Sequence, residues 1–110
     1  MKRLKVRFRP EATRDLAAIF LYVHELSRSY STSRGFVRRI RERCERIGDA
    51  PFGGRPRDDL ELGLRTVPFE KSAVIAYKVD GDYVRITNIF YGGRNYEAAY
   101  RGFSLDDDPA

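Results

Sequence analysis

The chain has 110 residues, a net charge of +5 and a single cysteine, Cys44. That length fits one domain, able to bury roughly two-thirds of its unfolded surface. One cysteine excludes a disulfide-stapled fold and suits a reducing, cytoplasmic compartment. No apolar run approaches the ~20 residues needed to cross a bilayer, and one histidine with one cysteine excludes a zinc centre.

The charge is mostly guanidinium: 17 Arg against 4 Lys. Arginine forks match phosphates and carboxylates better than ammonium groups do, so nucleic acid and acidic protein are the partners this balance fits. A solvated arginine-rich surface accounts for it equally well. The opening MKRLKVRFRPEA alternates charged and apolar residues too strictly for a secretory leader.

In chain order, Leu4, Val6 and Phe8 alternate with Lys5, Arg7 and Arg9, which predicts a half-buried strand. Pro10 then suits the first turn of a helix, where its missing N–H does no harm. Ala12, Leu16, Ile19, Val23 and Leu26 recur at steps of three and four, with Phe20 beside them, predicting an amphipathic helix from Pro10 to about Leu26. After a polar stretch, Ser31, Thr32 or Ser33 is expected to cap a second helix. That helix carries Phe36, Val37, Ile40, Cys44 and Ile47 on one face and arginines and glutamates elsewhere, and Gly48 and Pro51 stop it.

Pro51 to Gly63 reads as a loop. Strands follow at Leu64–Phe69, Ala73–Val79 and Tyr83–Phe90. Asp80-Gly81 signals a hairpin, Gly92-Gly93 ends the last strand, and Pro68, without a donor, places its strand at an edge or interrupts it. The order is β-α-α-β-β-β, an α+β domain with a helical hairpin packed on a mostly antiparallel four-stranded sheet. One domain over residues 1–102 is expected, with an acidic, frayed tail at 103–110.

His24 reads as a surface or boundary side chain and Cys44 as buried filler. The glycine pairs at 53–54 and 92–93 fall short of any nucleotide-binding fingerprint. What remains is cationic and aromatic: Arg65, Arg85 and Arg94 on or beside strands, and Tyr91, Tyr96 and Tyr100 around the end of the sheet. Cleavage of RNA through its own 2′-OH needs a base, cations for the phosphate and an acid for the leaving oxygen. Arginine supplies charge and tyrosine an acid, but arginine stays protonated and is no base. Packed tyrosines and strand-flanking arginines are the plainer explanation for any one of these residues.

The segments VRFRPEATRDL and APFGGRPRDDLELGLR, the strand Val74–Tyr77, the Asp80-Gly81-Asp82 turn and the ending NIFYGGRNYEAAY, in this order, resemble the ParE/RelE toxins of type II toxin–antitoxin systems. The resemblance runs from Val6 to about Tyr100. It implies a toxin neutralised by a cognate antitoxin, expected to be acidic given the +5 charge, with no cofactor. RelE-like members cut mRNA on the ribosome with a basic cluster and a tyrosine; ParE-like members poison DNA gyrase. Arg65, Arg94 and Tyr100 fall at positions of the cleaving cluster, whereas Val67 and Val74 stand where it carries a lysine and an arginine. The resemblance therefore implies a ParE-like gyrase inhibitor whose functional surface is bordered by Arg65, Arg85, Tyr91, Arg94, Tyr96 and Tyr100. The alternatives are a ribosome-dependent mRNA endoribonuclease, with Arg65, Arg94 and Tyr100 catalytic, and a non-toxic remnant that only binds antitoxin.

Overall fold

A computed structural model describes residues 3–93 and 95–101. The elements are β1 (Lys5–Phe8), α1 (Pro10–Ser27), α2 (Tyr30–Ile47), β2 (Arg55–Pro56), β3 (Arg65–Phe69), β4 (Ala73–Asp80), β5 (Tyr83–Tyr91) and α3 (Tyr96–Arg101). The expected acidic tail lies outside the described residues.

The sheet has five strands in the order β1-β5-β4-β3-β2, one more than the sequence suggests. The extra strand is two residues of the expected loop, Arg55 and Pro56, paired with Thr66 and Arg65. β1 runs parallel to β5, and the remaining pairs are antiparallel. Beyond Thr66, β3 has β4 alone as its strand partner, which leaves Pro68 on an edge, where a missing donor is harmless.

Ala12, Leu16, Ile19 and Val23 of α1 and Phe36, Ile40, Cys44 and Ile47 of α2 are buried against Val67, Ile75, Tyr77, Val84, Ile86 and Ile89. Leu26, expected on this face, is exposed, so the stripe ends at Val23. The α2 cap is Ser29, whose hydroxyl accepts from the Thr32 amide at 3.1 Å. Ser33, by contrast, is fully buried and donates to the Phe20 carbonyl, tying the two helices together.

Gly48 does follow α2, but in right-handed geometry. Its role is close approach. A Cβ there would sit closer than 3.0 Å to the Leu4 carbonyl oxygen, which accepts no substitute for the space, while the Leu4 amide donates to the Gly48 carbonyl. The β4–β5 turn is Gly81-Asp82, with only Gly81 at positive φ, so Asp80 closes β4 rather than entering the turn. That sign pattern matches the II′ hairpin, which needs glycine first.

Opposite Ala76 and Tyr77 the register of β5 slips by one residue, at Thr87. The slip keeps Val84 and Ile86, then Ile89, on the helix-facing side, and turns Asn88 and Phe90 to the other. The carboxylate of Asp15 on α1 accepts from the Ile89 amide at 2.8 Å and from the Asn88 side chain, satisfying the backbone where the ladder is broken. The face away from α1 and α2 carries its own small core, in which Leu64, Ala76 and Phe90 are covered by Leu60, Val74, Tyr96 and Tyr100.

Candidate functional site

Arg65 begins β3 on the helix-facing side, in register with Tyr77. Its guanidinium donates to the Phe52 carbonyl at 2.9 Å and the Gly54 carbonyl at 2.8 Å, and lies over the Phe52 ring. Beneath it the Tyr77 hydroxyl donates to the Pro51 carbonyl and accepts from the Gly54 amide, both at 2.9 Å. A Cβ on Gly54 would overlap the Tyr77 side chain. Arg65 and Tyr77 thus clamp the turn at 51–54 from below and hold Phe52 out to solvent.

Tyr96 and Tyr100 lie on the opposite side of the sheet. α3 lays both rings against Phe90, at centroid distances of 5.5 and 6.1 Å. What fastens α3 is Arg57, only 6% exposed although it sits in a Gly/Pro-rich loop. It pairs with Asp59 at 2.9 Å and Glu97 at 2.8 Å and donates to the Tyr96 hydroxyl at 2.8 Å. Hydrogen bonding to Asp59 and then Glu97 raises the pKa of Arg57 further above its ordinary value. The same contact with Arg57 holds the Asp59 carboxyl down at about 2. Sequence reasoning missed Arg57, because its burial depends on α3, forty residues on.

Arg85 lies near the start of β5 on the α3 side, away from α3 itself. It pairs with Asp80 and donates to the Tyr83 hydroxyl at 2.8 Å. Tyr91 is at the far end of the strand and on the helix side, edge-on to Tyr22 and Phe36. Arg94 lies outside the described residues. Of the candidate residues, the structure therefore brings Tyr96 and Tyr100 together and places Arg65, Arg85 and Tyr91 apart from them and from one another.

A cleft of about 230 Å³ between Arg9, Glu11, Glu61, Thr87, Asn88 and Tyr100 is the place where acid–base chemistry would be sought. Burial raises the pKa of Tyr100 above its ordinary value. The hydroxyl has no hydrogen-bond partner among the described residues; nearby Thr87 moderates the rise but donates instead to the Ala76 carbonyl. Glu61 is held by Lys78. The Glu11 carboxyl is pulled down, first by its own backbone amide and, after the opposing effect of burial, by Arg9, which makes it a poor base. Cys44 is fully buried, its thiol pushed up to about 12 by desolvation, and His24 is exposed on α1. Among the described residues, no three His, Cys, Asp or Glu side chains gather as a metal site. Nor is any described helix long and apolar enough to cross a membrane.

The described residues thus form a helical hairpin on a sheet whose last strand, β5, is inserted beside the first. The sequence model of the ParE toxin of type II toxin–antitoxin systems matches residues 6–96, and the chain belongs to that family. A search of curated protein sequences finds no match. Among solved structures, the chromosomal ParDE system of P. aeruginosa is similar at TM-score 0.71 and 21% identity, over 81% of this chain and 96% of that one. The RelBE2 toxin–antitoxin complex of Mycobacterium tuberculosis is similar at TM-score 0.59 and 21% identity, over 83% of this chain and all of that one. At these identities the two share the fold.

Proposed function

We propose that this chain is a ParE-type toxin that inhibits DNA gyrase as a binding poison and is neutralised by an acidic antitoxin. The observation that carries the non-nuclease reading is the separation of Arg65 from Tyr100. Register puts Arg65 on the face of Tyr77, toward the helices, and Tyr100 packs with Ala76 on the other. Their placement on opposite faces, with both side chains engaged in packing, supports a binding role over cleavage of a shared phosphate. Val67 and Val74 stand where the cleaving cluster carries a lysine and an arginine, so the lysine that could take the 2′-OH proton is missing from its position.

Leu21, Tyr22 and Leu26 on α1 and Tyr30 on α2 are exposed large hydrophobic side chains. They support an antitoxin helix docking there, as amphipathic helices do on apolar grooves. The surface acting on gyrase is assigned to the α3 side, where Tyr96 and Tyr100 stand close in sequence to Arg94.

The test is a supercoiling assay with purified gyrase and relaxed plasmid. Loss of supercoiling with accumulation of cleaved DNA is the expected result, relieved by the antitoxin. Intact supercoiling in the presence of folded protein, with codon-phased cuts in mRNA on ribosomes, would overturn it.

A further inference from the structure

On the α3 side of the sheet, Arg7 is the register partner of Arg85, and Arg85 is the register partner of Lys78. Register partners point to the same face, and neighbouring strands lie about 4.8 Å apart. Three cations therefore stand in a row about 10 Å long across β1, β5 and β4.

Like charges placed directly opposite across strands destabilise a sheet, and the compensation here is incomplete. Asp80 pairs with Arg85, Glu61 with Lys78 and, at the end of the row, Glu11 with Arg9 at 3.4 Å. Arg7 has no carboxylate partner among the described residues; its guanidinium lies 4.5 Å from the centre of the Tyr83 ring. Arg85 flanks the same ring at 5.5 Å, so one tyrosine fixes both guanidiniums. Arg9 joins Arg7, Tyr83 and Arg85 in lining a single cleft of about 310 Å³.

We propose that the row Arg7–Arg85–Lys78, with Arg9 at its end, is a binding site for the phosphodiester backbone of a nucleic acid. Each strand of a duplex carries one phosphate per ~3.4 Å of axis, so a 10 Å row of cations faces about three of them. An acidic protein fits less well. Protein interfaces are built around an apolar centre, and the exposed large hydrophobics lie on α1, on α2 and in the 51–63 loop, with none on β1, β4 or β5. This site is independent of the gyrase reading and stands or falls by a separate measurement.

Fluorescence anisotropy of the full chain with a short labelled duplex DNA, and separately with a single-stranded RNA, across a salt series is that measurement. Three phosphate contacts predict a log–log salt slope of about −2.7 on duplex DNA, and Arg7→Ala reduces it to about −1.8. Arg7→Glu weakens binding at least tenfold while its melting midpoint holds or rises, because the new carboxylate faces Arg85. Arg38→Ala, on the exposed side of α2, binds as wild type. Binding to both nucleic acids supports a backbone reading without regard to sugar; binding to one supports it and names the source. Wild-type binding by Arg7→Glu, or an equal loss in Arg38→Ala, overturns the proposal. So does failure of both nucleic acids to bind, and binding of poly-glutamate through Arg7 in that case reassigns the row to an acidic protein.

Discussion

Tyr77→Phe removes one oxygen from a residue that is 0% exposed and should cost about 2 kcal/mol. The ring stays in its packing, so no cavity beyond a single atom opens. What changes is the turn above it, where the Gly54 amide loses its acceptor and the Pro51 carbonyl its donor. An unsatisfied buried donor costs roughly 1–3 kcal/mol. Gly54 is buried and takes most of that penalty, whereas half-buried Pro51 recovers part of its loss from water. With an unfolding entropy of ~2.1 cal/mol/K per residue, a 110-residue chain loses about 9 °C in melting midpoint for 2 kcal/mol. Thermal and urea denaturation followed by circular dichroism measures it. A shift smaller than about 2 °C would mean that the hydroxyl does not hold the turn, and the account of the 51–54 clamp would fail.

Two further expectations concern the turn after β3 and the response to pH. Glu70 and Lys71 both have positive φ, at 48° and 58°, a geometry that disfavours side chains with a Cβ. Lys71→Gly should raise stability by about 0.5 kcal/mol net of the added freedom of the unfolded chain, and Lys71→Val should lower it; a urea titration separates the signs. At high pH, the Cys44 thiol stays protonated in the fold up to about 12 and ionises in the unfolded chain from about 9. Stability therefore falls as pH rises through that window, and Tyr77 and Tyr100, both raised by burial, add to the loss above 10. At low pH, Asp59 is held at about 2 against an ordinary 3.8, so its contribution is complete above 3.8 and lost as pH falls toward 2. Urea midpoints across pH for wild type, Cys44→Ala and Asp59→Asn check both limbs. Cys44→Ala should lose the component that begins near pH 9, and Asp59→Asn its own share of the acid one, with Glu11 and Glu70, both lowered, keeping theirs.

The long elements were legible because their signal is local and repeated. Four apolar positions recurring along α1, the arginine-backed face of α2 and the alternation in β1 fix type and side with no partner in view. The remainder depended on pairing that sequence does not display. β2 is a strand only because Arg55 and Pro56 meet Thr66 and Arg65. α3 is six residues long, too short for periodicity to register, and it exists where Arg57 and Phe90 hold it. Leu26 fits the helical period, yet the sheet beneath α1 gives it no cover. For the candidate residues, the placement was not readable. The sidedness of Arg65 against Tyr100 follows from register, and the row of cations from a parallel pairing between residues 78 positions apart in the chain.

That pairing also sets the order in which the molecule can come into being. β5 is the last of the described strands to leave the ribosome, yet it lies between β1 and β4. Until Tyr83–Tyr91 has emerged, β1 has no strand to pair with, Asp15 has no amide to cap, and the apolar stripe of α1 lacks Ile86 and Ile89. A nascent or prematurely ended chain is thus two helices and an incomplete meander, without the folded surface a toxin needs. Closing a loop of that length is slow compared with forming the helices and the β3–β4 hairpin. Completion of the sheet is therefore the late, committing event of folding.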